Sequence, residues 1–214
     1  MRLWLGIFAI LISLSGCYNR QSGHRISEQL IYDENENLTM RIMYQYDSKG
    51  NLIKNIGYDN NNIDIFFSEY VYNSDGLLEK SINKYNIYLN GIMSGEYDSI
   101  TTYEYNADNQ MIKSLGLLKN GDITEYTLFT LEDDRIIMIE NHDADNNIIG
   151  TIFFEYDNNG KRINTQNEEN KIISYREYND NNLLETVEFN NGSKRIFIWE
   201  NGTTTYDHDM YFWY

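Results

Sequence analysis

The chain of 214 residues has no proline and a single cysteine. One cysteine excludes an intramolecular disulfide. A β-rich chain without proline lacks a common edge protector and must guard its strands in another way. Cationic residues are scarce: 17 Lys and Arg stand against 33 Asp and Glu, giving a formal net charge of −16. Such a surface repels phosphate backbones, so no nucleic acid partner is expected, and cationic partners are favoured. There is no Gly-x-Ser-x-Gly, no His-Glu-x-x-His and no phosphate-binding glycine loop. No cofactor and no catalytic activity is expected. No capping box opens a 3.6-period apolar stripe beyond residue 17, so no helix is expected there.

What is present is one short pattern written several times. Tyr44-Gln-Tyr46-Asp47-Ser-Lys-Gly50-Asn-Leu52 returns as Tyr70-Val-Tyr72-Asn73-Ser-Asp-Gly76-Leu-Leu78. It returns again as Tyr103-Glu-Tyr105-Asn106-Ala-Asp-Asn109-Gln-Met111 and Phe154-Glu-Tyr156-Asp157-Asn-Asn-Gly160-Lys-Arg-Ile163, with a looser copy from Tyr175 through Tyr178 to Leu184. Aromatics at i and i+2 share one face of a strand. Asp or Asn, then two polar residues and Gly or Asn, suits a tight turn with a positive φ. Each copy reads as strand, turn, strand.

Further turn signals fall between the copies. They include Asp33–Asn37, Asp59–Asn62, Asn90-Gly91, Ser94-Gly95, Lys119–Asp122, Glu132–Asp134, Asp143–Asn147, Asn167–Asn170, Asn179–Asn182, Asn190–Gly192 and Asn201-Gly202. The runs between them alternate apolar and polar residues, as half-buried strands do. The predicted fold is all-β: an antiparallel meander of roughly a dozen or more strands, at one strand per turn signal. A sheet that long must curl, split or close, and a long curled or partly closed sheet is expected.

Residues 1–16 have a separate character. Arg2 precedes an apolar run, Leu3 to Leu14, too short to span a bilayer but of the length of a secretory signal core. It ends in Leu14-Ser15-Gly16-Cys17, which resembles the bacterial lipoprotein lipobox. The resemblance implies cleavage before Cys17 and acylation of that residue, hence a lipid anchor without a membrane span. Tyr18 in place of Asp leans toward the outer membrane of a bacterial cell envelope. Residues 17–28 read as the lipidated cysteine and a flexible tether. Residues 29–214 read as a single β-repeat domain.

The repeat unit, with Tyr44–Leu52 as the best match, resembles the YD repeat of the Rhs family. That family builds hairpin ribbons that coil into hollow shells. The resemblance carries over hairpin geometry for Tyr44, Tyr46, Asp47, Gly50, Tyr70, Tyr72, Gly76, Tyr103, Tyr105, Tyr156, Asp157 and Gly160. It carries no toxin domain and no room for a full shell. The chain is also similar to small repeat-bearing lipoproteins of Gram-negative bacteria.

Candidate chemistry is sparse. Asp47–Asn51 and Asp157–Gly160 offer oxygen ligands on a turn, as calcium loops do, but lack the acidic twelfth residue, and turn formation explains them. His24 falls in the tether and His142 in a turn. Asp207-His208-Asp209 alternates faces if it is a strand, so its carboxylates diverge from the imidazole. No metal site is expected. Acid pairs Asp133-Asp134 and Glu168-Glu169 fall in turns, whereas glycosidic hydrolysis needs two carboxylates across a cleft. Rows of tyrosine form either a stacking surface for sugar or peptide or the cross-strand ladder of the sheet itself. The aromatic end, Met210-Tyr-Phe-Trp-Tyr214, reads as a closing strand or docking patch, with an outer-membrane barrel as a lesser alternative. The expected role is a non-catalytic binding or structural module, anchored to a membrane by lipid, with a protein or glycan partner on its edge strands or tyrosine face. The alternatives are an envelope hydrolase using a carboxylate pair and an accessory or immunity protein to a secreted toxin.

Overall fold

The computed structural model describes residues 23–89, 92–169, 171–179 and 183–202. Fourteen strands follow one another: β1 Gly23–Tyr32, β2 Leu38–Tyr46, β3 Leu52–Asp59, β4 Asp64–Tyr72, β5 Leu78–Leu89, β6 Ile92–Tyr105 and β7 Met111–Leu118. They continue as β8 Ile123–Glu132, β9 Arg135–Asp143, β10 Ile148–Tyr156, β11 Arg162–Asn167, β12 Ile172–Tyr178, β13 Leu184–Phe189 and β14 Lys194–Gly202. Each pairs antiparallel with its sequence neighbours, and β1 pairs with β14 from Gly23↔Gly202 to Tyr32↔Lys194. The all-β antiparallel meander is as expected, and the sheet closes fully into a barrel where a long curled or partly closed sheet was expected. Closure supplies the edge protection that absent proline cannot.

The hairpins show why the sheet closes. Thirteen of the fourteen pairings carry a register shift, and only β13 with β14 does not. In the repeat copies the extra residue always follows the turn: Tyr46 faces Leu52 while Gln45 faces Lys54, and Tyr72 faces Leu78 while Val71 faces Lys80. A bulge bends its strand and raises the local right-handed twist. Repeated around the sheet, that bend brings the two ends together.

The turns explain why Asp and Asn, and Gly and Asn, interchange. Asp47 Oδ1 accepts the N–H of Lys49 at 2.8 Å and of Asn51 at 2.8 Å. Asn73 Oδ1 does the same with Asp75 and Leu77, at 3.0 and 2.9 Å. Either side chain presents the oxygen that the turn needs. Three residues later the backbone is left-handed, at Gly50 (φ 87°) and Gly76 (φ 81°), or at Asn62 (φ 61°) and Asn109 (φ 63°). Glycine and asparagine are the residues that tolerate this conformation.

Several sequence expectations are corrected here. The barrel begins at Gly23, so residues 23–28, read as tether, form the first strand, and His24 lies on it. Ser94-Gly95 lies within β6, and Gly202 ends β14 rather than opening a turn. The cause is long-range pairing: β1 finds β14, and β6 outlasts its turn-like residues against β5. The turn at Asn90-Gly91 and the segment from 203 to 214, with His208 and the aromatic end, lie outside the described residues.

Outside the barrel the residues are mixed and charged in mid-strand. Cross-strand pairs include Arg41–Glu28 at 3.6 Å, Lys54–Glu69 at 3.8 Å and Lys113–Glu104 at 3.2 Å. A charge on a lipid-facing strand costs about 2–4 kcal/mol at the bilayer midplane. Such charge pairs in mid-strand favour water over lipid at the outer wall.

Candidate functional site

The repeat tyrosines point inward and gather at one end of the barrel. Leu52, Leu78, Met111, Ile136, Leu184 and Ile26, the residues just inside the turns and seam at that end, are no more than 4% exposed. Tyr44, Tyr46, Tyr70, Tyr72, Tyr103, Tyr105, Tyr156, Tyr178, Phe197 and Trp199 pack on them as one cluster. The second aromatic of each copy ties one hairpin to the one before. Tyr46 donates to the Ile26 carbonyl at 2.9 Å, Tyr72 to Leu52 at 2.9 Å and Tyr105 to Leu78 at 2.9 Å. Tyr156 donates to Ile136 at 2.7 Å, Tyr178 to Arg162 at 2.8 Å, and the Trp199 indole N–H to Leu184 at 2.8 Å. Each accepting carbonyl belongs to the residue beside a bulge, where the ladder is disrupted. The repeat is thus a latch: the turn makes the bulge, and the second aromatic of the following copy satisfies it. Burial pushes the phenols of Tyr44, Tyr46, Tyr70, Tyr72 and Tyr105 well above their usual range, so they stay neutral.

This placement removes two sites expected for a partner. The tyrosine face is turned into the barrel, and among the described residues the sheet has no free edge. Asp47, Gly50, Gly76, Asp157 and Gly160 lie in the turns of the latched end. The Asp157 carboxylate is engaged by backbone N–H groups of Asn159 and Lys161, at 2.9 and 2.8 Å, which is turn chemistry rather than a calcium loop. Among the described residues no three His, Cys, Asp or Glu side chains gather as a metal site would need. Asp133 and Asp134 form a two-residue turn with both φ positive (48° and 63°) at the latched end. Glu168-Glu169 belongs to the turn at the opposite end, where Glu169 pairs with Lys171 at 2.5 Å. The two pairs are a barrel length apart and share no cleft. His142, expected in an exposed turn, is the penultimate residue of β9, 8% exposed, with its ring stacked on Tyr126 at 4.5 Å and 9°. The strand runs on through His142 and Asp143, because Tyr126 and Glu125 stand directly opposite them. Cys17 lies outside the described residues.

Above the aromatic layer the interior changes character. Gln29, Asn55, Ser68, Ser81, Asn83, Ser114, Thr127, Thr165 and Ser174 are all buried. Polar groups so buried demand partners. Some have them: Tyr44 donates to Gln29 Oε1 at 2.8 Å, and Thr127 to Asn141 Oδ1 at 2.9 Å. Gln29 Nε2 has none among the described residues. Three arginines share this interior. Arg162 occupies the place that Leu52 and Leu78 hold in other copies, 1% exposed, its guanidinium 4.8 Å from the Phe154 ring centre. Arg176 and Arg195 stand in one inward row on either side of Val187, which is fully buried. Burial pushes the Arg195 guanidinium down to about 10, partly offset by Tyr44. On the opposite wall, six strands round, Glu125 faces inward and burial raises its carboxyl.

Ile31, Met40, Asp59, Leu118, Glu125 and Phe189 face inward but are only half-buried. Among the described residues the interior is therefore layered, with apolar and aromatic side chains at the latched end and buried polar side chains above them. Sequence reading missed the three arginines because they look like ordinary surface cations. The signal was parity: Arg176 is two residues before Tyr178, and Arg195 is four before Trp199, so both share the face of the latch aromatics.

Fold and interior together define a class, a closed antiparallel barrel latched by aromatic hydrogen bonds. No protein-family model matches the chain, and no curated protein sequence does. Among solved structures, a porin-like protein from Bacteroides uniformis is 15% identical, with a TM-score of 0.38 over 83% of this chain and 59% of that one. A TcdB2-TccC3-Cdc42 structure is 11% identical, with a TM-score of 0.25, and this chain spans 13% of its length. A putative outer membrane lipoprotein-sorting protein domain from Vibrio parahaemolyticus is 8% identical, with a TM-score of 0.24 over 84% and 85% of the two chains. Similarity at this level assigns neither a family nor an activity.

Proposed function

We propose that the chain is a lipid-anchored protein of the bacterial envelope that acts as a non-catalytic binding or structural module. The observation that carries this reading is the barrel itself: a closed sheet with charge pairs in mid-strand on its outer wall and buried polar side chains within. The Leu14-Ser15-Gly16-Cys17 motif supports the anchor.

The anchor would also orient the barrel. Strand β1 starts from the latched end, since Ile26 belongs to the layer of Leu52 and Leu78. Five residues lie between Cys17 and Gly23, six steps of chain with a reach of at most about 20 Å. The latched end would sit near the membrane and the opposite end would face away from it. Metabolic labelling with an alkyne palmitate tests the reading, in cells expressing wild type or Cys17→Ala. The expected result is a labelled, membrane-associated wild type and an unlabelled, released variant. Label retained by Cys17→Ala, or an unlabelled wild type, would refute the anchor. A cross-linked pull-down from the same cells would then name the partner of the outward rim.

A further inference from the structure

At the end opposite the latch the bulged pattern recurs with its faces exchanged. At the latched end the pair beside the bulge, Tyr46 with Leu52 or Tyr72 with Leu78, belongs to the core. At the opposite end the matching pairs are Leu117 with Ile123 and His142 with Ile148. Here Ile139 packs in the core and Asn141 takes the hydrogen bond of Thr127 inside the barrel. Strand parity then sets Tyr126 and His142 on the outer face. The result is an apolar ledge across four adjacent strands, β7 to β10. Ile149, Ile148 and Ile123, at 59%, 55% and 49%, are the most exposed aliphatic side chains among the described residues. Between them His142 stacks on Tyr126 and is only 8% exposed. Neither of its ring nitrogens has a hydrogen-bond partner among the described residues.

Scattered exposed apolar residues are ordinary, but a contiguous group with a polar rim marks a contact surface. The rim here has one sign. Asp122 directly precedes Ile123, Asp145 lies in the turn before Ile148, and Glu140 shares the outer face of β9 with His142. None of the three makes an ion pair among the described residues. The nearby cations are already engaged by β6: Lys113, whose ammonium also lies 5.6 Å from the Tyr126 ring centre, by Glu104 at 3.2 Å, and Lys119 by Asp98 at 3.3 Å. A second copy of the chain would bring acid against acid, at a net charge of −16 each, and an anionic lipid surface would be repelled in the same way. A cationic polypeptide answers all three features: apolar side chains for the isoleucines, lysine or arginine for the carboxylates, and backbone N–H and C=O for the imidazole.

We propose that the outer face of β7 to β10, beside the turns opposite the latch, docks a cationic polypeptide segment with an apolar centre. Ile123, Ile148 and Ile149 form the core of that contact, and Asp122, Glu140 and Asp145 form its charged rim, the arrangement of a protein interface. Closure of the sheet takes away the edge strands and the tyrosine face as docking sites, and the outer wall is the surface that remains.

This inference rests on the binding-module reading but is tested apart from it. The full lipidated chain is placed in nanodiscs of neutral lipid, with empty nanodiscs as the blank. A dansylated peptide alternating lysine and leucine is titrated by fluorescence anisotropy. Two comparison peptides replace its leucines by serine or its lysines by glutamate. The expected result is one saturable site per chain for the lysine–leucine peptide and at least about tenfold weaker binding of both others. Ile148→Asn should weaken binding about tenfold, the scale of one apolar side chain lost from a contact. Glu140→Gln should weaken it about threefold and reduce its salt dependence. Met43→Asn, at a site 42% exposed on the outer wall of β2, should bind like wild type. If Ile148→Asn fails to fold, Ile149→Asn replaces it, with the same direction expected. Equal binding of the lysine–serine peptide would reduce the attraction to net charge and overturn the surface. So would an Ile148→Asn chain that binds like wild type, or a Met43→Asn chain that weakens as much. Self-association in sedimentation that Ile148→Asn abolishes would also overturn it, by giving the face to a second copy. Absence of saturable binding by a chain labelled at Cys17 would overturn the surface while leaving the anchored module standing. Saturable, Ile148-dependent binding by an unlabelled chain would do the reverse.

Discussion

Removing one latch hydroxyl measures what holds the barrel shut. In Tyr72→Phe the phenol oxygen that donates to the Leu52 carbonyl at 2.9 Å is lost, and the ring stays. Leu52 is fully buried, so its carbonyl has little access to water in exchange. A neutral hydrogen bond contributes about 1 kcal/mol net, and an acceptor left buried without a partner costs about 1–3 kcal/mol. Tyr72 itself is half-buried, which lets some water reach the vacated position and holds the total to about 1–2 kcal/mol. For a chain of this size that corresponds to a fall in Tm of about 2–8 °C. Urea denaturation followed by tryptophan fluorescence and by circular dichroism should give the same difference with an unchanged m-value. Tyr175→Phe is the control: that ring is 53% exposed on the outer wall and should change stability by less than about 0.5 kcal/mol. Tyr156→Phe, whose latch lies six strands away, should add to Tyr72→Phe within about 0.5 kcal/mol. Equal stability of Tyr72→Phe and Tyr175→Phe would refute the latch. It would mean that aromatic packing alone holds neighbouring hairpins together.

Two other outcomes follow from named contacts. Gly57→Ala should cost about 1–3 kcal/mol, because its new methyl would stand 2.0 Å from the Phe66 ring, while Gly150→Ala, with nothing within 4 Å, should be tolerated; thermal melts of the pair check this. Stability should fall on acidification: hydrogen bonds from the Asn37 and Asn147 side chains hold Asp33 and Asp143 below the usual carboxylate range, and backbone N–H groups of Ile63 and Lys161 do so for Asp59 and Asp157. A lowered folded value means stability that is present above the unfolded value near 4 and is lost as pH falls through the folded one, so Tm measured from pH 6 to pH 2 should begin to drop near pH 4. Asp157→Asn keeps the accepting oxygen without the titration and should flatten that drop; an unchanged acid limb would refute the role of the turn carboxylates.

How much of this was legible depended on range. The hairpins were legible because their causes are local. Asp47 and Gly50 are three residues apart, one caps the turn and the other takes the left-handed backbone, and Tyr44 and Tyr46 share a face by strand parity alone. The acid-rich, cation-poor composition likewise set the solvated character of the outer wall. His142 was misread because its stack depends on Tyr126, a residue on another strand, and the first strand was misread because its partner lies at the far end of the chain.

What the sequence determined by itself was a meander of bulged hairpins with aromatics on one face and no means of covering its edges other than each other. What only the tertiary structure decided was closure, and with it which face became the inside. Each bulge adds a small twist that no single repeat reveals, and only the sum over the sheet brings Gly23 to Gly202. Once that seam forms, the aromatic face has no solvent to meet, the edges disappear, and Arg176 and Arg195 turn from surface cations into an inner wall, because burial is a property of the enclosure and not of the residue.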